Sequence, residues 1–235
     1  MFPAPRFFPM GDQALIVEFG DRIDPALSAY IAAVAQRLRD LRPVGVVDIV
    51  PAYVTLALYY DPAAVGAGTS PYEALAETVD TWLKSHSVET SAAGRTIEIP
   101  VCYGGAFGED LEALARAHGL SADEVVAIHS GSPYHVHMLG FVPGFAYLGG
   151  LDPRLATPRR DTPRPRVPAG SVAIAGEQTA IYPLDTPGGW QIIGRTPLQL
   201  FKPDASPPSL LNAGDTVRFV PIPAQEFEAR SRAAK

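Results

Sequence analysis

"SVAIAGEQTAIYPLDTPGGWQIIGRT", Ser171–Thr196, decides how the larger half of this chain folds. Three short apolar runs, 171–176, 179–184 and 190–196, are separated by Gly, Pro and Asp. Runs of this length bounded by turn residues read as strands, because a helix needs a longer periodic stretch. The same grammar extends outward, to "YHVHML" (134–139) upstream and to "LQLF" (198–201) and "TVRFVPI" (216–222) downstream. Short strands with turn signals between them predict a barrel or a sandwich. Two helices precede them. "EDLEALARAHG" (109–119) puts Leu111, Leu114 and His118 on one face and ends on a capping Gly119. "SADEVVAIHS" (121–130) opens with a capping box, Ser121 with Glu124.

The first half reads differently. "ALIVEFG" (14–20) is a strand. Asp24-Pro25 opens a helix to about Asp40, with Leu27, Ile31, Val34 and Leu38 on one face. "VGVVDIV" and "YVTLALYY" are strands joined tightly at Pro51. Ser70-Pro71-Tyr72-Glu73 opens a helix to about Ser85, with a capping box predicted. "RTIEIPV" (95–101) completes a β-α-β-β-α-β order, that of a ferredoxin-like unit. The small polar stretch "SVETSAAG" (87–94) is the expected linker, so the domains are 1–93 and 94–235, an α/β (α+β) chain.

Length and composition support an ordinary globular protein. The 235 residues are 47% hydrophobic and 19% charged, enough to bury a core. A net charge of -6 argues against general nucleic-acid binding. No apolar run reaches membrane-span length, and the opening residues lack a signal-peptide pattern. The single cysteine, Cys102, excludes an internal disulfide and a cysteine zinc cluster, and reads as a small buried residue. A cytoplasmic location is the simplest expectation.

Chemistry concentrates between Gly140 and Arg195. "GFVPGFAYLGGLDPRLATPRR" (140–160) puts Phe141, Phe145 and Tyr147 on a backbone of glycines and prolines. Such a stiff loop either lines a pocket or plugs a barrel end. From 151 to 166 five arginines, at 154, 159, 160, 164 and 166, stand against Asp152 and Asp161. Prolines at 158, 163, 165 and 168 hold this ribbon extended. It is an anion site, a partner-binding face or a solvated surface. Gln178, Tyr182, Trp190 and Arg195 supply an amide, a phenol, an indole and a cation for a small polar ligand, while Tyr182 and Trp190 also fit a core. His135 and His137 alternate on one side of a strand, which suits a metal pair less than a polar solvent face, and no third ligand is evident. His129, at a helix end, is an acid/base group or a cap. There is no Walker A loop and no G-x-S-x-G elbow.

The block Gly140–Pro197, with "VCYGG", "EDL", "IHS", "VEFG" and "VPAYVTLALYYDP", resembles the family holding the 5-oxoprolinase B subunit (PxpB), the sporulation kinase inhibitor KipI and proteins labelled allophanate hydrolase subunit 1. The resemblance covers nearly the whole chain. It implies a small N-terminal α/β domain, a cyclophilin-like β-barrel, and similarity to half of a carboxyltransferase unit. It also implies partners: a subunit-C-like barrel protein and a subunit-A-like protein, which together cleave 5-oxo-L-proline to L-glutamate with ATP and Mg. Carried residue by residue, it implies catalytic roles for His129, Arg166 and Gln178. Phe141, Pro143, Gly144, Phe145, Tyr182, Trp190 and Arg195 would bind substrate, and no metal site is implied. The alternatives it carries are inhibition of a sensor histidine kinase and an amidohydrolase acting on allophanate. Ala146, Glu177 and Ala180 depart from the family's usual "PGFPYL" and "GNQTG".

Overall fold

The computed structural model describes residues 4–65, 70–88 and 94–233. The chain divides into two compact units, Met1–Ala93 and Gly94–Lys235. Residues 89–93 of the expected linker lie outside the described residues.

The first unit contains β1 (Arg6–Pro9), β2 (Ala14–Glu18), α1 (Pro25–Leu41), β3 (Val46–Ala52), β4 (Thr55–Tyr60), α2 (Pro62–Val65) and α3 (Pro71–Ser85). Its antiparallel sheet has the order β1-β2-β4-β3. Asp24 caps α1 as expected, its Oδ1 accepting from the Ala26 and Leu27 amides at 2.7 and 3.0 Å. A cap contributes about 1 kcal/mol, and each fully buried aliphatic side chain about 2 kcal/mol. Packing of Leu27, Ile31, Val34, Ala35 and Leu38 on the sheet therefore decides where the helix lies. Ser70 makes no side-chain cap bond, so the capping box expected at α3 is absent. The β3–β4 turn falls at Tyr53-Val54, two residues beyond the predicted Pro51. Pro51 lies in β3, an edge strand, where a missing donor is tolerated.

The fourth strand of this sheet is not the one expected. The Arg95–Val101 run belongs to the second unit, and β1 fills the edge beside β2. The split β-α-β-β-α pattern is kept, with an upstream strand in the last place.

The second unit holds β5 (Thr96–Tyr103), α4 (Leu111–Ala117), α5 (Ala122–Gly131), β6 (Pro133–Leu139), β7 (Ala146–Gly149), β8 (Arg164–Val167), β9 (Ser171–Ala175), β10 (Gln178–Ile181), β11 (Thr186–Gly188), β12 (Gln191–Arg195), β13 (Thr216–Pro221) and α6 (Ala224–Ala233). Seven of these strands close a barrel in the order β10-β7-β6-β13-β5-β12-β9. The β5–β13 pair is parallel and the other pairs are antiparallel. Only the end of the arginine ribbon becomes a strand, β8, paired with β11 in a separate two-stranded piece. "LQLF" makes only an isolated bridge, Phe201 to Ser209.

The helix caps here follow the sequence. Ser121 and Glu124 form a reciprocal capping box. After α4, Gly119 takes φ +66, with Gly119 N–H donating to the Arg116 carbonyl and Leu120 N–H to the Ala115 carbonyl. That pair of bonds is a Schellman stop, which needs a left-handed residue.

Candidate functional site

Period-two alternation splits the barrel wall into two faces. Inward-facing Leu148, Val172, Ile174 and Ile181 join Leu111, Leu114 and Val125 of the helices in the main core. Outward-facing Ala173, Ala175 and Ala180 join Phe145, Tyr182, Trp190 and Ile192 in a second cluster, with Tyr147 packed against it. Three alanines on a barrel wall leave a floor that large side chains must cover. The aromatics do so edge to face: Phe145 meets Tyr147 at 5.1 Å, Phe141 at 5.5 Å, Tyr182 at 5.7 Å and Trp190 at 6.0 Å. Quadrupole attraction favours this arrangement.

The 140–145 loop is held by its own backbone. Val142 N–H donates to the Gly140 carbonyl at 2.8 Å across Phe141, whose φ is +69. That is a γ-turn through the left-handed region, costly for an aromatic residue. Phe145 N–H donates to the Val142 carbonyl at 3.0 Å, with Pro143 and Gly144 (φ +81) at the centre of a type II turn. A Cβ on Gly144 would also lie 2.8 Å from that of Phe201. The result is Phe141 held 66% exposed above a buried Phe145. The loop packs through Phe145 on the alanine-floored cluster of the barrel wall.

Tyr182 is buried, and burial raises its pKa, against the Trp190 backbone N–H that donates to its oxygen and the nearby charges of Arg159 and Arg164. Gly188 makes this possible, since a Cβ there would stand 2.4 Å from the Tyr182 oxygen. Gly188→Ala is expected to push Tyr182 out of place and lower stability by about 2 kcal/mol, read as a shifted urea midpoint. An unchanged midpoint would show the tyrosine is not locked there.

The arginine ribbon is largely neutralised by named partners. Asp110, 6% exposed, accepts from Arg160 at 3.0 Å, Arg164 at 2.8 Å and the Ile192 amide at 2.6 Å. Arg154 pairs with Asp152 at 2.7 Å. Arg166 is exposed and pairs with Asp185, Nε to Oδ2 2.8 Å, while Asp185 also accepts from the Ala169 amide. Arg195 donates from Nε to the Ala169 carbonyl at 2.8 Å. Gln178 opens β10 opposite Ala175, on the face that carries Ala180. Of the departures from the family pattern, Ala146 faces inward into the main core, Glu177 is exposed, and Ala180 is part of the alanine floor.

His129 requires a correction. Its ring is fully buried against Phe219 at 4.6 Å, Tyr134 and Tyr103. Thr179 donates to the Ala173 carbonyl, so its oxygen accepts from His129 Nε2 at 2.9 Å, and Tyr103 donates to Nδ1 at 2.8 Å. The ring is thus one fixed neutral tautomer, and burial pushes its pKa down to about 3. A ring that is fully buried and bonded at both nitrogens is not placed where the acid/base group expected at this helix end would meet a substrate. It brackets helix α5 to the barrel wall.

The histidines of β6 also differ from expectation. Their rings do share a side, 5.0 Å apart. That side is not a solvent face: His137 is 5% exposed, and burial first, then His135, push its pKa down to about 4. Among the described residues, no three His, Cys, Asp or Glu side chains come together as metal ligands. Cys102 is buried, and burial raises its thiol pKa. No helix among the described residues is long and apolar enough to cross a membrane.

Sequence reading missed Asp110 and the alanine floor. Asp110 lies fifty residues from the ribbon it holds, and only "EDL" hinted at it. The alternation of "SVAIA" and "QTAI" into two buried faces was the available signal for the floor.

Comparison with known proteins places this geometry. The family described as "Carboxyltransferase domain, subdomain C and D" matches residues 5–211. The chain is 44% identical to the 5-oxoprolinase B subunit of Bacillus subtilis over 225 residues, 94% of each chain. The crystal structure of TTHA0988 superposes with a TM-score of 0.78 at 38% identity, over 89% of this chain and 40% of that longer one. At 18% identity, the Kluyveromyces lactis urea amidolyase shares the fold, with a TM-score of 0.72 over 96% of this chain and 15% of that one. Fold, site block and near-full-length identity agree: the chain belongs to the carboxyltransferase-domain family, subdomains C and D, that includes the 5-oxoprolinase B subunit.

Proposed function

We propose that this chain is the B subunit of an ATP-dependent 5-oxoprolinase, cleaving 5-oxo-L-proline to L-glutamate in the cytoplasm together with subunit-A-like and subunit-C-like partners. The observation that carries the reading is 44% identity to a 5-oxoprolinase B subunit across 94% of both chains. The chemistry is compatible with the site. A five-membered lactam is a stable amide, and ATP, with Mg, activates it by phosphorylating the amide oxygen. ADP leaves, water adds to the ring carbon, the C–N bond breaks with the nitrogen leaving as an amine to give an acyl phosphate, and a second water hydrolyses that to the carboxylate and phosphate. The chain has no Walker A loop, so ATP binding falls to another motif or another subunit.

In this reading the flat ring lies against the aromatic cluster that covers the alanine floor, beside the exposed Phe141, with Tyr182 in the wall behind it, and Gln178 orients the lactam by hydrogen bonds. Arg166, through Asp185, and Arg195 both meet the backbone of Ala169. The test is reconstitution. The three subunits with ATP and 5-oxo-L-proline should release glutamate, and omitting this chain should abolish release. No glutamate from a folded complex would sink the reading, leaving kinase inhibition or an allophanate substrate to examine.

A further inference from the structure

The ribbon carries five arginines, and four of them are accounted for. Arg154 is held by Asp152, Arg160 and Arg164 by Asp110, and Arg166 by Asp185. Arg159 is exposed and makes no ion pair among the described residues; neighbouring Asp161 does not take it. Other exposed cations of the chain lack partners too, but Arg159 stands beside the aromatic cluster.

Its backbone is strapped there on both sides. The Pro158 carbonyl accepts from Gln191 Nε2 at 3.0 Å, and Arg160 N–H donates to the Gly189 carbonyl at 2.7 Å. Thr157 and Gly176 exchange two bonds just before it. These bonds tie the segment to the strip 188–191, which packs on Tyr182 through Gly188 and Trp190. The charge of Arg159 is felt at the Tyr182 oxygen. An unneutralised guanidinium on a rigid mount, next to an apolar wall with a phenol, suits a small ring bearing a carboxylate.

Resting on the function proposed above, we propose that Arg159 is the anchor for the substrate's carboxylate, a role that the engaged Arg166 does not fill. A guanidinium–carboxylate pair has two parallel N–H···O bonds and a fixed geometry, so it sets which way the lactam faces Gln178. The substrate class follows: small cyclic amides with a carboxylate next to the ring nitrogen.

The experiment uses the three-subunit complex and two substrates, 5-oxo-L-proline and 5-oxo-L-prolinamide, whose carboxamide is uncharged. Arg159→Gln should raise KM for 5-oxo-L-proline about thirtyfold, with kcat little changed and KM for the amide unmoved. Arg159→Lys should recover part of the loss, and Arg154→Gln, in the same ribbon but held by Asp152, should change neither substrate. An unchanged KM for 5-oxo-L-proline, or an equal loss on both substrates, overturns the anchor. Equilibrium binding of 5-oxo-L-proline to the complex separates the failures. Wild type that binds without turnover overturns the proposed reaction, and Arg159→Gln is then judged by binding. Wild type that neither binds nor turns over overturns both.

Discussion

Asp110→Ala is expected to lose about 3–5 kcal/mol of folding stability. The carboxylate is 6% exposed and holds three donors: two guanidinium groups and the Ile192 amide. Its removal leaves the Ile192 N–H buried without an acceptor, which alone costs about 1–3 kcal/mol. It also leaves Arg164, 17% exposed, with only the exposed Glu109 at 3.4 Å as a counter-charge. Asp110→Asn keeps an oxygen for the amide and should lose roughly half as much. Urea denaturation at pH 7 reads both. Trypsin provides a local check, because the freed ribbon should be cut after Arg159 or Arg160 well before the barrel unfolds. A loss under 1 kcal/mol with no new cleavage would mean that the ribbon is held by β11 and its backbone bonds to Gln191 and Gly189 without help from Asp110.

The second large effect is acid sensitivity. His129 has a folded pKa of about 3, against about 6.5 in the unfolded chain. A depressed histidine means that the unfolded state binds the proton first. Its stabilisation is therefore complete above pH 6.5 and is lost as pH falls from 6.5 toward 3. His137, with a folded pKa of about 4, acts over 6.5 to 4 in the same direction. Each histidine contributes a slope of up to about 1.4 kcal/mol per pH unit inside its window. Asp152, at about 2, and Asp185, lowered by the Ala169 amide and Arg166, matter at more acid pH. Between pH 6 and 5 the histidines thus dominate. Stability should fall by about 2 kcal/mol over that unit, and His129→Gln, less stable overall, should fall only about half as steeply. Equal slopes for variant and wild type would show that the His129 ring already carries its proton when folded.

Local rules made much of this legible. Asp24, the Ser121–Glu124 pair and Gly119 announced their helix ends because caps act within a few residues. The strand segments on both sides of Ser171 were visible for the same reason. What escaped was tertiary. "RFFP" is three residues between two prolines, closed by the second, with no alternation, so β1 had no sequence signal. The Thr96–Tyr103 strand was visible, but its partner was not, since a strand's neighbour depends on closure of the sheet rather than on chain order. The site was legible as a composition of aromatics, amide and cations. Which arginine stays unpaired depends on Asp110 and Asp185, distant in sequence, and no spacing in the ribbon reveals it. His129 looked available because helix ends usually face water, whereas α5 turns its last turn inward.

The parallel pairing of β5 with β13 carries a consequence for synthesis. The first strand of the barrel lies against its last, over six matched residues from Thr96–Thr216 to Val101–Pro221. A ribosome delivers the chain from its N-terminus, so for more than a hundred residues β5 waits without its neighbour on that edge. The first unit has its whole sheet in hand long before. The nascent protein is therefore a finished small domain towing an open sheet, and its greatest exposure to chaperones and to mispairing falls just before residue 216 emerges.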